Sequence, residues 1–198
     1  NGVVLITTKS GKYSEKLRLN IGASYGIQQA WKKLDLLNTE EYIKYGTMLL
    51  TNAGKALPYR FSHMNDPIYE GATQTFAQTN TDWQDEMFQT APVMQVNASL
   101  TGGNENMRFY TSYGRFSQDG IMIGSGFDRH TFRLNTSGKV TKFLTIGENV
   151  NLSYSEMLNQ RVQGGRTIIK HMVNMPPYVP VYNPKNVDGM FHSFPYAP

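Results

Sequence analysis

Cysteine is absent from the 198-residue chain, which excludes disulfide frameworks, zinc ribbons and thiol catalysis together. Long apolar runs are missing as well. The longest is Val3 to Ile6, four residues, against the roughly 20 that a spanning helix requires, so no transmembrane helix is encoded. A membrane β-barrel crosses with strands and is untouched by that exclusion. Charge is sparse at 17%, and the 19 basic and 15 acidic residues are scattered, giving a net charge of +4 without a dense basic block or an aromatic RNA-binding motif. Nucleic acid is therefore not expected as a partner. The four histidines, His63, His130, His171 and His192, match no short metal-binding pattern, and neither a metal nor a cofactor is assigned. No start methionine or signal peptide precedes the β-branched run at residues 3–8, and the far end is a proline-rich, aperiodic stretch. Both features lead to the expectation that the chain is a piece of a longer protein.

What the sequence does contain is period two. Over residues 17–28, Leu17, Leu19, Ile21, Ala23, Tyr25 and Ile27 alternate without exception with Arg18, Asn20, Gly22, Ser24, Gly26 and Gln28. Successive side chains of a strand point to opposite faces, so this segment presents one apolar and one polar face over about 40 Å, longer than the ordinary strand of about 5–6 residues. Similar patterns cover residues 94–100, 107–116, 132–137 and 144–155. Over 107–116, Tyr110 and Phe116 blur the alternation; over 144–155, Glu148 is the one exception and is expected near a strand end.

The connections between these strands alternate in length, the first running to about 60 residues and the second, 101–106, being short turn chemistry rich in Gly and Asn. A third connection of about 13 residues is expected over 117–129. Within the first connection, Asn38 can cap a helix over residues 39–50 with Glu40 and Glu41 in its first turn, and residues 80–88 suggest a second short helix. Long strands with one polar face and alternating short and long connections fit an outer-membrane β-barrel. A soluble, secreted β-sandwich that binds glycans also alternates, and a mean hydropathy of −0.44 suits it. Periodicity alone does not separate the two.

The wording of the motifs does. The run Asn1-Gly2-Val3-Val4-Leu5-Ile6-Thr7-Thr8-Lys9-Ser10-Gly11-Lys12 resembles the segment that closes the plug domain of SusC/RagA-family TonB-dependent outer-membrane transporters, just before the first barrel strand. Trp31-Lys32-Lys33-Leu34-Asp35-Leu36-Leu37-Asn38 with Glu41-Tyr42 is similar to the family's first-loop helix, and Asn80-Thr81-Asp82-Trp83-Gln84-Asp85-Glu86-Met87-Phe88 to its tryptophan motif. Leu100-Thr101-Gly102-Gly103, Gln118-Asp119-Gly120-Ile121 and Phe132-Arg133-Leu134-Asn135 extend the likeness over most of residues 1–158.

The resemblance implies an all-β, antiparallel transmembrane barrel of about 22 strands, closed by an N-terminal plug. Residues 1–12 would end the plug. Residues 13–158 would supply the first five strands, with a long first extracellular loop at 30–92 carrying short helices, and 159–198 would be a further extracellular loop. The implied activity is TonB-dependent import of a bulky nutrient, an oligosaccharide or a peptide, across the outer membrane of a Gram-negative bacterium. No chemical bond is made or broken. Implied partners are TonB, acting through the plug, a SusD-like surface lipoprotein and membrane lipid.

Residue by residue, Arg18, Asn20, Ser24 and Gln28 are the lumen-facing candidates, while Leu17, Leu19, Ile21, Ala23 and Ile27 are expected to face lipid and Tyr25 the aromatic girdle. Trp83 and the tail aromatics Tyr178, Tyr182, Phe191, Phe194 and Tyr196, set among prolines, are candidates for extracellular contact with ligand or partner, or else pack the loop on itself. Other chemistry finds little footing. Lys9-Ser10-Gly11-Lys12 lacks the upstream glycine of a phosphate loop, and Gly124 with Gly126 lacks the third glycine of a dinucleotide fingerprint. Asp82, Asp85 and Glu86 sketch a glycosidase pair but suit a helix N-terminus better.

Overall fold

The computed structural model describes residue 2 and residues 9–159 and 167–182. Five strands form a single antiparallel sheet in the order of the chain: β1 (Arg18–Gln28), β2 (Ala91–Gly103), β3 (Met107–Asp119), β4 (Gly126–Lys139) and β5 (Thr145–Leu158). Every strand pairs with its sequence neighbour, so the sheet is an up-and-down meander without crossovers. A β-sandwich would need a second sheet on the apolar face, and none is present among the described residues.

The strands are longer than their alternation suggests. β2 begins at Ala91 and β4 at Gly126, so the connection expected over 117–129 contracts to residues 120–125. The reason is pairing that side-chain pattern does not report: Gln118 lies opposite Phe127 and Asp119 opposite Gly126 in an unbroken ladder. Gly124, at φ 72°, supplies the left-handed residue this tight return needs. At the other end, residues 104–106 are closed by Asn104, whose side-chain oxygen accepts from the backbone N–H of Asn106 (2.9 Å) and Met107 (2.7 Å). Glu148 lies in the turn-proximal part of β5, close to its start at Thr145, opposite Thr136 on the face of the apolar rows.

Register carries the two-faced character across the whole sheet. Leu19, Leu100, Thr111, Leu134 and Val150 form one transverse row, and Ile21, Ala98, Tyr113, Phe132 and Leu152 the next. The members of these rows on the edge strands are largely bare, Ile21 being 70% exposed and Leu152 60%, while Leu100 and Leu134 between them are partly covered by their neighbours. Burial of such a side chain is worth about 1.5–3 kcal/mol, so a row of them in water is a large standing cost.

A second compact unit comprises residues 31–88 and 160–198, of which 31–88 and 167–182 are described. It holds α1 (Thr39–Asn52), α2 (Tyr59–Ser62), a 3-10 turn (Phe76–Gln78), α3 (Trp83–Met87) and α4 (Ile168–Asn174). Helix α1 starts at a complete capping box, with the Asn38 side chain accepting from the Glu41 N–H and the Glu41 carboxylate accepting from the Asn38 N–H, both at 3.0 Å. Helix α3 is capped by Asp82, whose side chain accepts from the Gln84 N–H. The core of this unit is Ile68, Phe76, Tyr178 and Val179.

With an apolar face bare and unpaired β1 and β5 edges, the 198-residue chain expressed alone is expected to be insoluble without detergent or denaturant. A monodisperse monomer that melts cooperatively in plain buffer, observed by sedimentation and calorimetry, would contradict this.

Candidate functional site

Arg18, Asn20, Ser24 and Gln28 share the face opposite the apolar rows, and the register aligns them with Thr101, Ser99, Gln95 and Ala91 of β2. Farther across lie Ser112, Arg133 and Asn151 in the row of Asn20, and Phe116, Arg129 and Ser155 in the row of Ser24. Tyr110 and Phe116, which blurred the β3 pattern, are aromatics on this polar face. At its outer end the Gln28 amide donates to the Asp119 carbonyl (2.7 Å) and its oxygen accepts from Gln118 (3.2 Å).

At the inner end of the same face, the chain that precedes β1 crosses the sheet before joining it. The Lys9 carbonyl accepts from the Asn135 amide (3.3 Å), and the hydroxyls of Tyr13 and Ser137 share a hydrogen bond of 3.2 Å. The Tyr13 ring lies 5.1 Å from the Arg108 guanidinium and 4.4 Å from the Lys139 ammonium, within cation–π range. Ser14, in the left-handed region at φ 54°, donates to Asn104, and Gly103 donates to the Glu15 carbonyl (2.9 Å). This approach needs glycine: a Cβ at Gly11 would strike the Phe109 carbonyl, and one at Gly103 the Lys12 carbonyl. The Glu15 carboxylate ties the crossing together by accepting from the Lys12 N–H (3.0 Å) and the Thr101 hydroxyl (3.1 Å), with Arg18 3.8 Å away. Those contacts, the Lys12 N–H first, hold its pKa below the usual carboxylate value.

The second unit uses its polar and aromatic residues for its own assembly. Gln84, 2% exposed, makes a two-way amide clasp with Leu34, accepting from its N–H (2.7 Å) and donating to its carbonyl (2.8 Å). Trp83 donates its indole N–H to the Pro176 carbonyl (3.1 Å), and Thr81 donates its hydroxyl to Val179 (2.7 Å). Tyr178 is 7% exposed, edge-on to Tyr42 and Phe76, and burial raises its phenol pKa. Of the candidates for extracellular contact, Trp83 and Tyr178 are thus engaged within the unit, Tyr182 is exposed, and Phe191, Phe194 and Tyr196 lie outside the described residues. Two of the three acidic residues are structural too: Asp82 caps α3 and Asp85 pairs with Lys33, while Glu86 lies in the first turn of α3. Beside Trp83 is a cavity of about 340 Å³ bordered by Asp35, Tyr42, Asn80 and Pro177.

A side-chain chain on the apolar face escaped the sequence reading. Tyr113 hydrogen-bonds the His130 Nδ1 (2.7 Å), His130 Nε2 stands 2.8 Å from Asp128, and Asp128 accepts two bonds from Arg115. The signal was available, since Arg115, Asp128 and His130 fall on the apolar parity of their strands.

No family model matches the chain. Sequence comparison finds two TonB-dependent receptors of Formosa agariphila, one 33% identical over 196 residues (98% of this chain, 18% of the relative) and one 29% identical over 197 residues (96% and 17%). The TonB-dependent receptor SusC of Bacteroides thetaiotaomicron is 28% identical over 183 residues, 92% of this chain and 16% of the relative. The chain thus spans 16–18% of the length of these curated relatives. Among solved structures, the RagAB peptide transporter matches with a TM-score of 0.71 at 25% identity, covering 96% of this chain and 24% of that one. The RagAB peptide importer in its closed-closed state matches with a TM-score of 0.64 at 25% identity, over 93% and 23%. Sheet order, two-faced strands and these likenesses define the class as TonB-dependent receptor. Within that class, the chain belongs to the SusC/RagA family.

Two outcomes follow for the site. Glu15 has a lowered folded pKa, so its contribution is present above the unfolded value of about 4.5 and is lost as pH falls through the folded one. In the full-length protein, the protection factors of the Gly103 and Ser14 amides, taken relative to intrinsic exchange at each pH, should fall on acidification through that range, and Glu15→Gln should remove that fall. Gln84→Ala, which orphans both Leu34 backbone groups, should cost about 1–3 kcal/mol of local stability, read as faster exchange at Leu34 and α3.

Proposed function

We propose that the full-length protein is a plugged outer-membrane barrel of about 22 strands that imports a bulky nutrient, an oligosaccharide or a peptide, using energy delivered by TonB. Residues 1–12 close the plug, 13–158 form the first five strands, and 159–198 belong to an outer loop. The observation that carries this reading is the crossing of residues 9–15 over the polar face. A segment emerging from a plug must run inside the barrel wall, and here it runs on the face bearing Arg18, Asn20, Ser24 and Gln28. The bare apolar rows then face lipid, where Leu and Ile need no protein cover. Transport is a change of plug position within a fixed wall and needs no catalytic group. The SusC/RagA relationship supports a SusD-like surface lipoprotein as lid.

A plug on the periplasmic side makes β1 run outward. Residues 29–90 and 120–125 are then extracellular and the short turns 104–106 and 140–144 periplasmic, in keeping with the rule that such barrels have short periplasmic turns. Since the chain has no cysteine, single cysteines report this cleanly in the full-length protein if the remaining sequence is also cysteine-free or made so. Lys55→Cys should react with an impermeant maleimide on intact cells when the lid is removed, and Asn104→Cys only after the outer membrane is permeabilised. The reverse pattern refutes the topology. Facing is tested separately: Ile21→Arg should cost about 2–4 kcal/mol in a refolding titration of the full-length barrel, and Asn20→Arg far less. Equal costs would show that the faces are misassigned.

A further inference from the structure

Charge in the strands is sorted by face. The polar face carries Arg18, Arg108, Arg129, Arg133 and Lys139 and no carboxylate, whereas the strand carboxylates Asp119, Asp128, Glu148 and Glu156 all lie on the other side. Three of the five cations are occupied at the inner end, Arg18 beside Glu15 and Arg108 with Lys139 on the Tyr13 ring. Arg129 and Arg133 are exposed, and among the described residues no carboxylate forms an ion pair with either. The Arg129 guanidinium lies 5.9 Å and 5.8 Å from the centroids of Phe116 and Phe127, and Arg133 is flanked across the ladder by Ser112 and Asn151.

Two like charges about 13 Å apart along one strand attract a ligand bearing more than one negative group. Guanidinium meets carboxylate with two parallel hydrogen bonds, the strongest neutralisation available to it. Around the arginines the wall is amide and hydroxyl: Gln95, Asn97, Thr131, Ser153 and Ser155. These groups both donate and accept, which suits a ligand covered in hydroxyls, while the Phe116–Phe127 pair, 6.0 Å between centroids, offers an apolar ring face. We propose that this face takes an acidic oligosaccharide, its carboxylates on Arg129 and Arg133 and its hydroxyls on the amide and hydroxyl side chains between them. The inference rests on the polar face being the lumen.

The test uses the full-length protein in detergent and three fluorescent probes of matched length: hexagalacturonate, maltohexaose and hexaglutamate. Hexagalacturonate should bind at least about tenfold more tightly than maltohexaose, with affinity falling as salt rises. The double variant Arg129→Gln, Arg133→Gln should lose about tenfold or more of that affinity while its melting temperature and heat-modifiable migration stay unchanged. Equal binding of the neutral sugar, absence of hexagalacturonate binding, or an unaffected double variant overturns the proposal. Preference for hexaglutamate assigns the face to acidic peptides and overturns it as well. A lowered melting temperature with unchanged binding shows that the arginines hold the plug. A protein that fails to migrate as a heat-modifiable barrel defeats the import reading itself, a result distinct from all of these.

Discussion

Everything in the sheet depends on one register. The four antiparallel ladders are continuous from Arg18↔Thr101 to Lys139↔Thr145, and together they keep one parity of every strand on the same face of the sheet. Because side chains alternate with period two, a slip of one residue in any ladder would carry Ile21 or Leu152 to the polar face and Asn20 or Asn151 to the apolar one. The hydrogen bonds themselves do not discriminate between registers. Discrimination comes from the side chains and from the glycine contact at the inner end, where Gly103 admits the Lys12 carbonyl and fixes where β1 begins relative to β2.

The sequence was most legible where local physics decides alone. The unbroken alternation over 17–28 became β1, and Asn38 with Glu41 became a full capping box. It was least legible where pairing across strands decides. The hairpin between β3 and β4 tightened because Gln118 and Phe127 pair despite neither marking a strand. Arg115, Asp128 and His130 could have been recognised together only by aligning β3 with β4, since they are adjacent in the ladder and separated in the chain.

Aromatic residues in the long loops illustrate a different limit. Composition marks Trp83 and Tyr178 as contact residues as readily as core residues, and only the neighbours decide. Here the Trp83 indole N–H meets Pro176, and the Tyr178 ring is enclosed by Tyr42 and Phe76. A unit with few regular elements has few backbone ladders, so it is held by clasps such as Gln84 on Leu34 and by aromatic edges. Proline-rich sequence suits such a unit, because it has less conformational freedom to lose on ordering.

The direct pairing of Gln28 with Ala91 has an evolutionary consequence. The residues between them leave and return at points one strand spacing apart, about 4.8 Å, so the sheet is geometrically indifferent to what is inserted there. Lengthening such an insertion costs little, about 0.6 kcal/mol for each doubling of a flexible loop. The segment 29–90 therefore behaves as a cassette. It can lengthen or change in sequence while the ladders on either side of it keep their register.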